Sequence, residues 1–148
     1  MTTPTERLEF ETMLFGRYSL ISRKNVDSGL DRSAYLLLSV LRVEGPMSIG
    51  QLSDSLGLDV STLNRQTAAM LRAGVAERIP DPDGGIARKF RVTEAGIARL
   101  DAERAQSIHH LDAILADWSE QDITALATGL ARFNASIENY RHRVRSRG

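Results

Sequence analysis

Residues 48–78 read SIGQLSDSLGLDVSTLNRQTAAMLRAGVAER. Ser48 and Gln51 have the spacing of a capping box, in which the hydroxyl accepts a backbone N–H three residues on and the amide reaches back. A short helix therefore starts there and runs to Leu56, where Gly57 closes it. A second starts at Asp59 or Val60 and runs to about Ala73, where Gly74 supplies the left-handed geometry that ends a helix. Leu52, Leu56, Leu58, Val60, Leu63, Met70, Leu71 and Val75 offer enough apolar side chain for a small core. Ser61, Thr62, Asn64, Arg65 and Gln66 crowd hydrogen-bonding groups into the start of the second helix. Two short helices joined by a glycine-containing turn form a helix-turn-helix.

Upstream, Pro4 and Thr5 open a helix with an intermittent apolar face of Leu8, Met13, Leu14, Tyr18 and Ile21, broken at Ser28-Gly29. Asp31 can cap another, carrying Tyr35, Leu36, Leu37, Leu38, Val40 and Leu41 and apolar enough to be central. Glu44-Gly45-Pro46 ends it, because proline disfavours helical geometry in the residue before it. Downstream, VAERIP (75–80) and ARKFRV (87–92) flank DPDGGI (81–86), the signature of a tight reversal between two short strands. Phe90 and Val92 alternate with Lys89 and Arg91, so one face can pack while the other offers positive charge. Thr93 caps a long helix expected to reach about Asp117. Trp118-Ser119 interrupts it, and Ser119 with Asp122 opens the last helix. There Ile123, Leu126, Leu130, Phe133, Ile137, Tyr140 and Val144 recur at alternating steps of three and four, a sustained heptad seam. A seam that runs on to the C-terminus calls for a second chain as well as the preceding helix. The expected fold is mainly α with a small β-hairpin wing. A winged helix-turn-helix spans residues 31–92, and residues 1–30 and 93–148 form a helical dimerisation region.

At 148 residues, 42% hydrophobic and 26% charged, the chain has the composition of one ordinary globular domain. The absence of cysteine excludes disulfides, thiol nucleophiles and thiolate metal sites. His109-His110 looks like a metal fragment, yet adjacent residues on a helix diverge by about 100°, so no metal and no cofactor are expected. No apolar run is long enough to span a membrane, and MTTPTERLEFE is acidic and polar where a signal peptide would be basic and then apolar. A cytoplasmic protein without a membrane partner is expected. No paired acid–base motif, phosphate-binding glycine loop or metal signature suggests an enzyme. Net charge is zero but unevenly spread. Residues 61–91 hold six basic and three acidic residues, residues 92–131 two and seven, and residues 132–148 five and one. A basic stripe of this kind can attract phosphate while the rest of the surface stays neutral or acidic.

The stretch MSIGQLSDSLGLDVSTLNRQTAAMLRAGVAERIPDPDGG…RKFRVTEAG resembles the MarR family of bacterial transcription regulators. The resemblance rests on Ser61-Thr62, Arg65 three residues on, Met70 at a leucine-like position, the helix-ending Gly74, Arg78 four residues later, the aspartate-rich wing and Thr93-x-x-Gly96. These motifs fall within about residues 36–96; the order of elements covers nearly the whole chain. The pattern lapses in two places. The family's wing-tip Asp-x-Arg falls on Gly84 and Ile86, and Gln66-Thr67 stand where two aliphatic residues are usual.

A helix N-terminus seated in the major groove reads bases when its neighbour braces it on the backbone. Arg65 is therefore the expected main base or phosphate contact, Asn64 and Gln66 secondary base readers, and Ser61 and Thr62 positioning groups. The free helix N-terminus adds its own attraction for phosphate. Arg88, Lys89 and Arg91 would meet phosphate or the minor groove from the wing. The resemblance implies that Arg78 pairs with Asp81 or Asp83 to steady the wing, and that the protein is a homodimeric, ligand-responsive regulator, usually a repressor, on a palindromic operator in double-stranded DNA. It also implies a small anionic or aromatic effector, for which Arg17, Tyr18 and Tyr35 are the candidate contacts. The alternatives are a constitutive winged-helix DNA binder without effector and a protein-interaction module.

Overall fold

A computed structural model of the chain describes residues 1–18 and 32–148. Ile21, Ser28-Gly29 and Asp31, to which parts of the first two helices were assigned above, lie outside the described residues. The elements run α1 (Pro4–Tyr18), α2 (Arg32–Glu44), α3 (Ile49–Leu56), α4 (Val60–Arg72), β1 (Ala76–Ile79), β2 (Lys89–Val92), α5 (Glu94–Ile114) and α6 (Glu120–Arg147). Chain contacts divide them into two compact units, Met1–Ser107 and Ile108–Gly148.

In the first unit the core is built around α2. Ala34, Leu37, Leu38 and Leu41 follow the spacing of one helix face and are all buried, while Leu36 and Val43 face outward. The helix is therefore central, as its composition suggested, through one face only. Leu52 of α3, Leu63 and Met70 of α4, Val75, Ala76, Phe90 of β2 and Leu100 of α5 complete the cluster, with Leu56, Leu58 and Leu71 half-buried at its edge. Val60, assigned above to this core, is 51% exposed because it sits on the first turn of α4, outside the inward row Leu63, Thr67, Met70.

Capping fixes the two short helices where the sequence placed them. Gln51 N–H donates to the Ser48 hydroxyl and Ser48 N–H to the Gln51 side chain, the reciprocal pair of a capping box. Gly57, at φ 68°, turns the chain between α3 and α4, and the Ser53 hydroxyl donates to the Leu58 carbonyl to hold the turn. α4 ends in a Schellman motif: Val75 N–H donates to the Met70 carbonyl and Gly74 N–H to that of Leu71, with Gly74 at φ 73°.

The wing is an antiparallel pair in the register Ala76↔Val92, Glu77↔Arg91, Arg78↔Phe90, Ile79↔Lys89. It gains a short third rung, since Met47 and Phe90 exchange both backbone hydrogen bonds, at 3.2 and 2.8 Å. One residue offers no strand periodicity, so the place of Met47 beside the wing is not visible in the linear pattern. Thr93 joins three elements. Its N–H donates to the Val75 carbonyl, its hydroxyl to that of Gly74, and the same hydroxyl accepts the Gly96 N–H to cap α5. α1 opens with its own capping box between Thr3 and Glu6 and buries none of its side chains in this unit.

In the second unit α5 stops at Ile114, shorter than expected, because residues 115–118 form a turn. Ser119 caps α6 by accepting the Asp122 N–H. None of the residues of α6 is buried. No helix among the described residues is long and apolar enough to cross a membrane.

Backbone approaches closely at Gly96, where an added Cβ would lie 2.1 Å from the Val75 carbonyl oxygen and 2.8 Å from Val92. Gly96→Ala is expected to lower unfolding stability by about 1–3 kcal/mol, the usual cost of forcing atoms into a packed junction. A urea midpoint equal to that of the wild type would show that α5 shifts freely at this point.

Candidate nucleic-acid interface

α4 has two faces with different chemistry. Leu63, Thr67 and Met70 point into the core. Thr67 satisfies its buried hydroxyl within the helix by donating to the carbonyls of Leu63 and Asn64, at 2.7 and 3.2 Å, and so takes an aliphatic position without an orphaned polar group. Ser61, Asn64 and Arg65 are exposed, and Thr62 and Gln66 half-exposed. The polar residues expected at the tip are thus brought together on one accessible surface, held by the buried row behind them.

The tip contains a charged group, Asp59, that the sequence reading placed at the helix start without giving its charge a part in the site. Asp59 is the N-cap of α4, and its Oδ1 accepts the Thr62 N–H at 2.8 Å and the Ser61 hydroxyl at 3.3 Å. Hydrogen bonds from the Thr62 side chain and backbone, then from Ser61, and the charge of Arg65 hold this carboxyl below its ordinary value of 3.8, so it is ionised. The anion expected at the bare helix N-terminus is therefore supplied by the protein itself. Its sign was available in the sequence, where an aspartate before a helical pattern is a cap with a full charge.

On the wing, most of the expected cations are engaged. Lys89 Nζ lies 3.4 Å from Asp81 Oδ1, and their side chains are only 12% and 14% exposed. Arg91 donates through Nε and an Nη to Glu77 Oε1, opposite it in the register. The expected pairing of Arg78 with Asp81 or Asp83 is corrected. The Arg78 guanidinium lies over the Phe90 ring, 5.4 Å from its centre, and Lys89 is the partner of Asp81. Register explains the exchange, because Arg78 stands directly across from Phe90. Asp83 contributes its backbone N–H, which donates to Asp81 Oδ1 at 2.9 Å. Among the described residues Arg88 is exposed with no ion-pair partner, and Ile86 at the tip is wholly exposed.

Of the candidate ligand contacts, Tyr35 lines a cavity of about 440 Å³ with Ser39, Arg42, Val43, Leu100 and Arg104, between α2 and α5 of the first unit. Arg42 also reaches Asp101 at 2.6 Å, tying the two helices together. Arg17 and Tyr18 at the end of α1 are not among the lining residues. The rings of His109 and His110 are 6.2 Å apart and inclined at 50°. No cluster of three or more potential ligands for a metal ion occurs among the described residues.

A helix-turn-helix whose second helix presents a polar tip, followed by a hairpin wing and long flanking helices, defines a winged helix-turn-helix protein. The family model of the MarR family matches residues 28–85. The uncharacterized HTH-type transcriptional regulator YxaD of Bacillus subtilis (strain 168) is 33% identical over 136 residues, covering 90% of this chain and 95% of YxaD. Among solved structures, MarR superposes with a TM-score of 0.77 at 18% identity, covering 95% of each chain. A MarR family protein from Bacillus stearothermophilus gives 0.72 at 18% identity, covering 93% of this chain and 99% of that one. The chain belongs to the MarR family of transcriptional regulators, whose members are DNA-binding proteins without enzymatic activity.

Asp81 ties the wing together, with a pH dependence of known sign. The Asp83 backbone N–H, then Lys89 and the Gly85 N–H, hold its carboxyl below the ordinary 3.8. A carboxyl depressed on folding adds stability that is whole above 3.8 and fades as the pH falls through the folded value. Asp81→Asn is therefore expected to be less stable than the wild type at pH 7, with the gap closing below pH 3.8. Denaturation midpoints across that range check this; a gap independent of pH would remove the Lys89 pair from the wing's support.

Proposed function

We propose that this protein is a homodimeric repressor that binds a palindromic operator and releases it in response to a small anionic, aromatic ligand in the cytoplasm. The observation that carries the DNA contact is the exposed polar tip of α4 backed by the buried row Leu63, Thr67, Met70. A helix so held can enter the major groove tip first. Arg65 is the main reader, suited to bidentate bonding with guanine, and Asn64 and Gln66 are suited to adenine. Ser61 and Thr62 position the tip, and Arg88 is the wing's available phosphate contact. Lys89 and Arg91, expected above to share that task, would have to leave Asp81 and Glu77 first.

The dimer is supported by α6. Its seam residues Leu126, Leu130, Phe133, Ile137 and Tyr140 are 37–62% exposed in the single chain, with Ile123 half-buried at its start. A continuous apolar row of this length in water marks an association surface, and α1 adds Leu8, Phe10, Met13, Phe15 and Tyr18 as further exposed apolar groups. Two-fold pairing would present two α4 tips to major grooves about 34 Å apart. The ligand response is supported by the cavity between α2 and α5, where Tyr35 offers a ring face and Arg42 and Arg104 offer cations. An anion there would compete with Asp101 for Arg42 and disturb the tie between the helices.

Selection of bound fragments from random duplexes should yield a palindrome bound by two chains. On it Arg65→Ala should lose about 10–100-fold in affinity, the worth of one bidentate contact, with unfolding unchanged. Ile137→Asp should sediment as a monomer and bind only weakly. Unaltered binding by Arg65→Ala, or an intact Ile137→Asp dimer, would overturn the respective assignment. Simple aromatic carboxylates should release the DNA from the wild type but not from Arg104→Ala. Equal release from both would place the ligand elsewhere.

A further inference from the structure

The end of α4 that would face DNA carries a charge of the wrong sign for it. Asp59 is exposed, ionised and the first residue of that end. Capping does not require the charge, since serine, threonine and asparagine serve nearly as well. This chain uses hydroxyl caps elsewhere: Thr3 for α1, Ser48 for α3, Thr93 for α5 and Ser119 for α6. Among the described caps only α4, the helix with the cluster of base-reading side chains, takes a carboxylate.

Two consequences follow from the geometry. The carboxylate holds the Ser61 hydroxyl and lies within electrostatic reach of Arg65, so part of the attraction of Arg65 for phosphate is offset. Near duplex DNA the same carboxylate meets phosphates, which repel it, and base edges, which differ. Guanine offers acceptors in the major groove and thymine a carbonyl, while cytosine N4 and adenine N6 offer amino donors that a carboxylate can accept from.

We propose that Asp59 is a specificity-determining residue, whose carboxylate penalises every docking of the α4 tip against phosphate or acceptor edges and is tolerated where the operator presents an amino group. This rests on the reading of α4 as the DNA-entering helix. Asp59 then lowers affinity for arbitrary DNA more than affinity for the operator, and on the strand nearest the tip the operator carries cytosine or adenine in place of guanine or thymine.

The test is Asp59→Asn, which keeps a capping oxygen and removes the charge. Dissociation constants are measured for the selected operator and for a scrambled duplex of equal length as salt is varied. The scrambled duplex is expected to bind on the order of tenfold more tightly at about 0.1 M salt, with a salt slope steeper by about one for each tip engaged. The operator should gain less, so the ratio of the two affinities falls, while the thermal midpoint stays with the wild type. A ratio equal to that of the wild type, whether both duplexes shift together or neither moves, would overturn the proposal and leave Asp59 as a cap only. Should the asparagine variant fail to fold, Asp59→Ser carries the same comparison. Failure of the wild type to select any duplex is a different result, and would remove the DNA-entering role of α4 itself.

Discussion

The molecule depends on the anchoring of one short helix from behind. Leu63, Thr67 and Met70 lock α4 against a core built on Leu37, Leu38, Leu41 and Leu52. Each leucine in such a position is worth about 2–5 kcal/mol against truncation, more than any single surface contact of α4 contributes. That row fixes the rotation of the helix about its axis, and the rotation decides which side chains meet solvent. Arg65 and Asn64 face outward because Leu63 and Thr67 face inward. The Schellman turn at Gly74 and the three bonds of Thr93 then join the end of α4 to the wing and to α5. A displacement of α5 therefore has a short path of packed backbone to α4, through Gly96 against Val75.

Charge on the wing is organised to hold the wing together. Lys89 with Asp81, and Arg91 with Glu77, spend cations that the linear sequence offers to phosphate. Arg78 spends its charge on the face of Phe90. Of the cations that the sequence reading assigned to DNA, Arg65 on α4 and Arg88 on the wing are exposed and have no ion pair among the described residues, and the charge of Asp59 lies near Arg65. Under the proposed function such a surface gives a modest electrostatic attraction, and sequence discrimination would come from directed contacts at the tip of α4.

Much of this was legible from local pattern. The capping box at Ser48, the stops at Gly57 and Gly74, the hairpin around Gly84-Gly85 and the Ser119 cap are set by interactions within a few residues, and the structure has them where the sequence puts them. The satisfaction of Thr67 within its own helix is equally local. What the linear sequence did not reveal depends on pairings across the fold. Register put Arg78 over Phe90 and left Asp81 to Lys89, and Met47 joined the wing as a single rung. Val60 left the core because of the rotation of α4, and α2 turned out one-sided because its partners cover one face.

By itself the sequence determined which of the described segments are helices and strands, where α3, α4 and α6 begin, and that a polar cluster stands at one helix tip. Those outcomes follow from caps, glycine geometry and periodicity, all interactions of short reach along the chain. Only the tertiary structure decided which cations are already neutralised, which apolar side chains stay in water and how Gly96 lets α5 approach Val75. Those depend on distances between residues far apart in sequence, and a linear pattern holds no measure of distance.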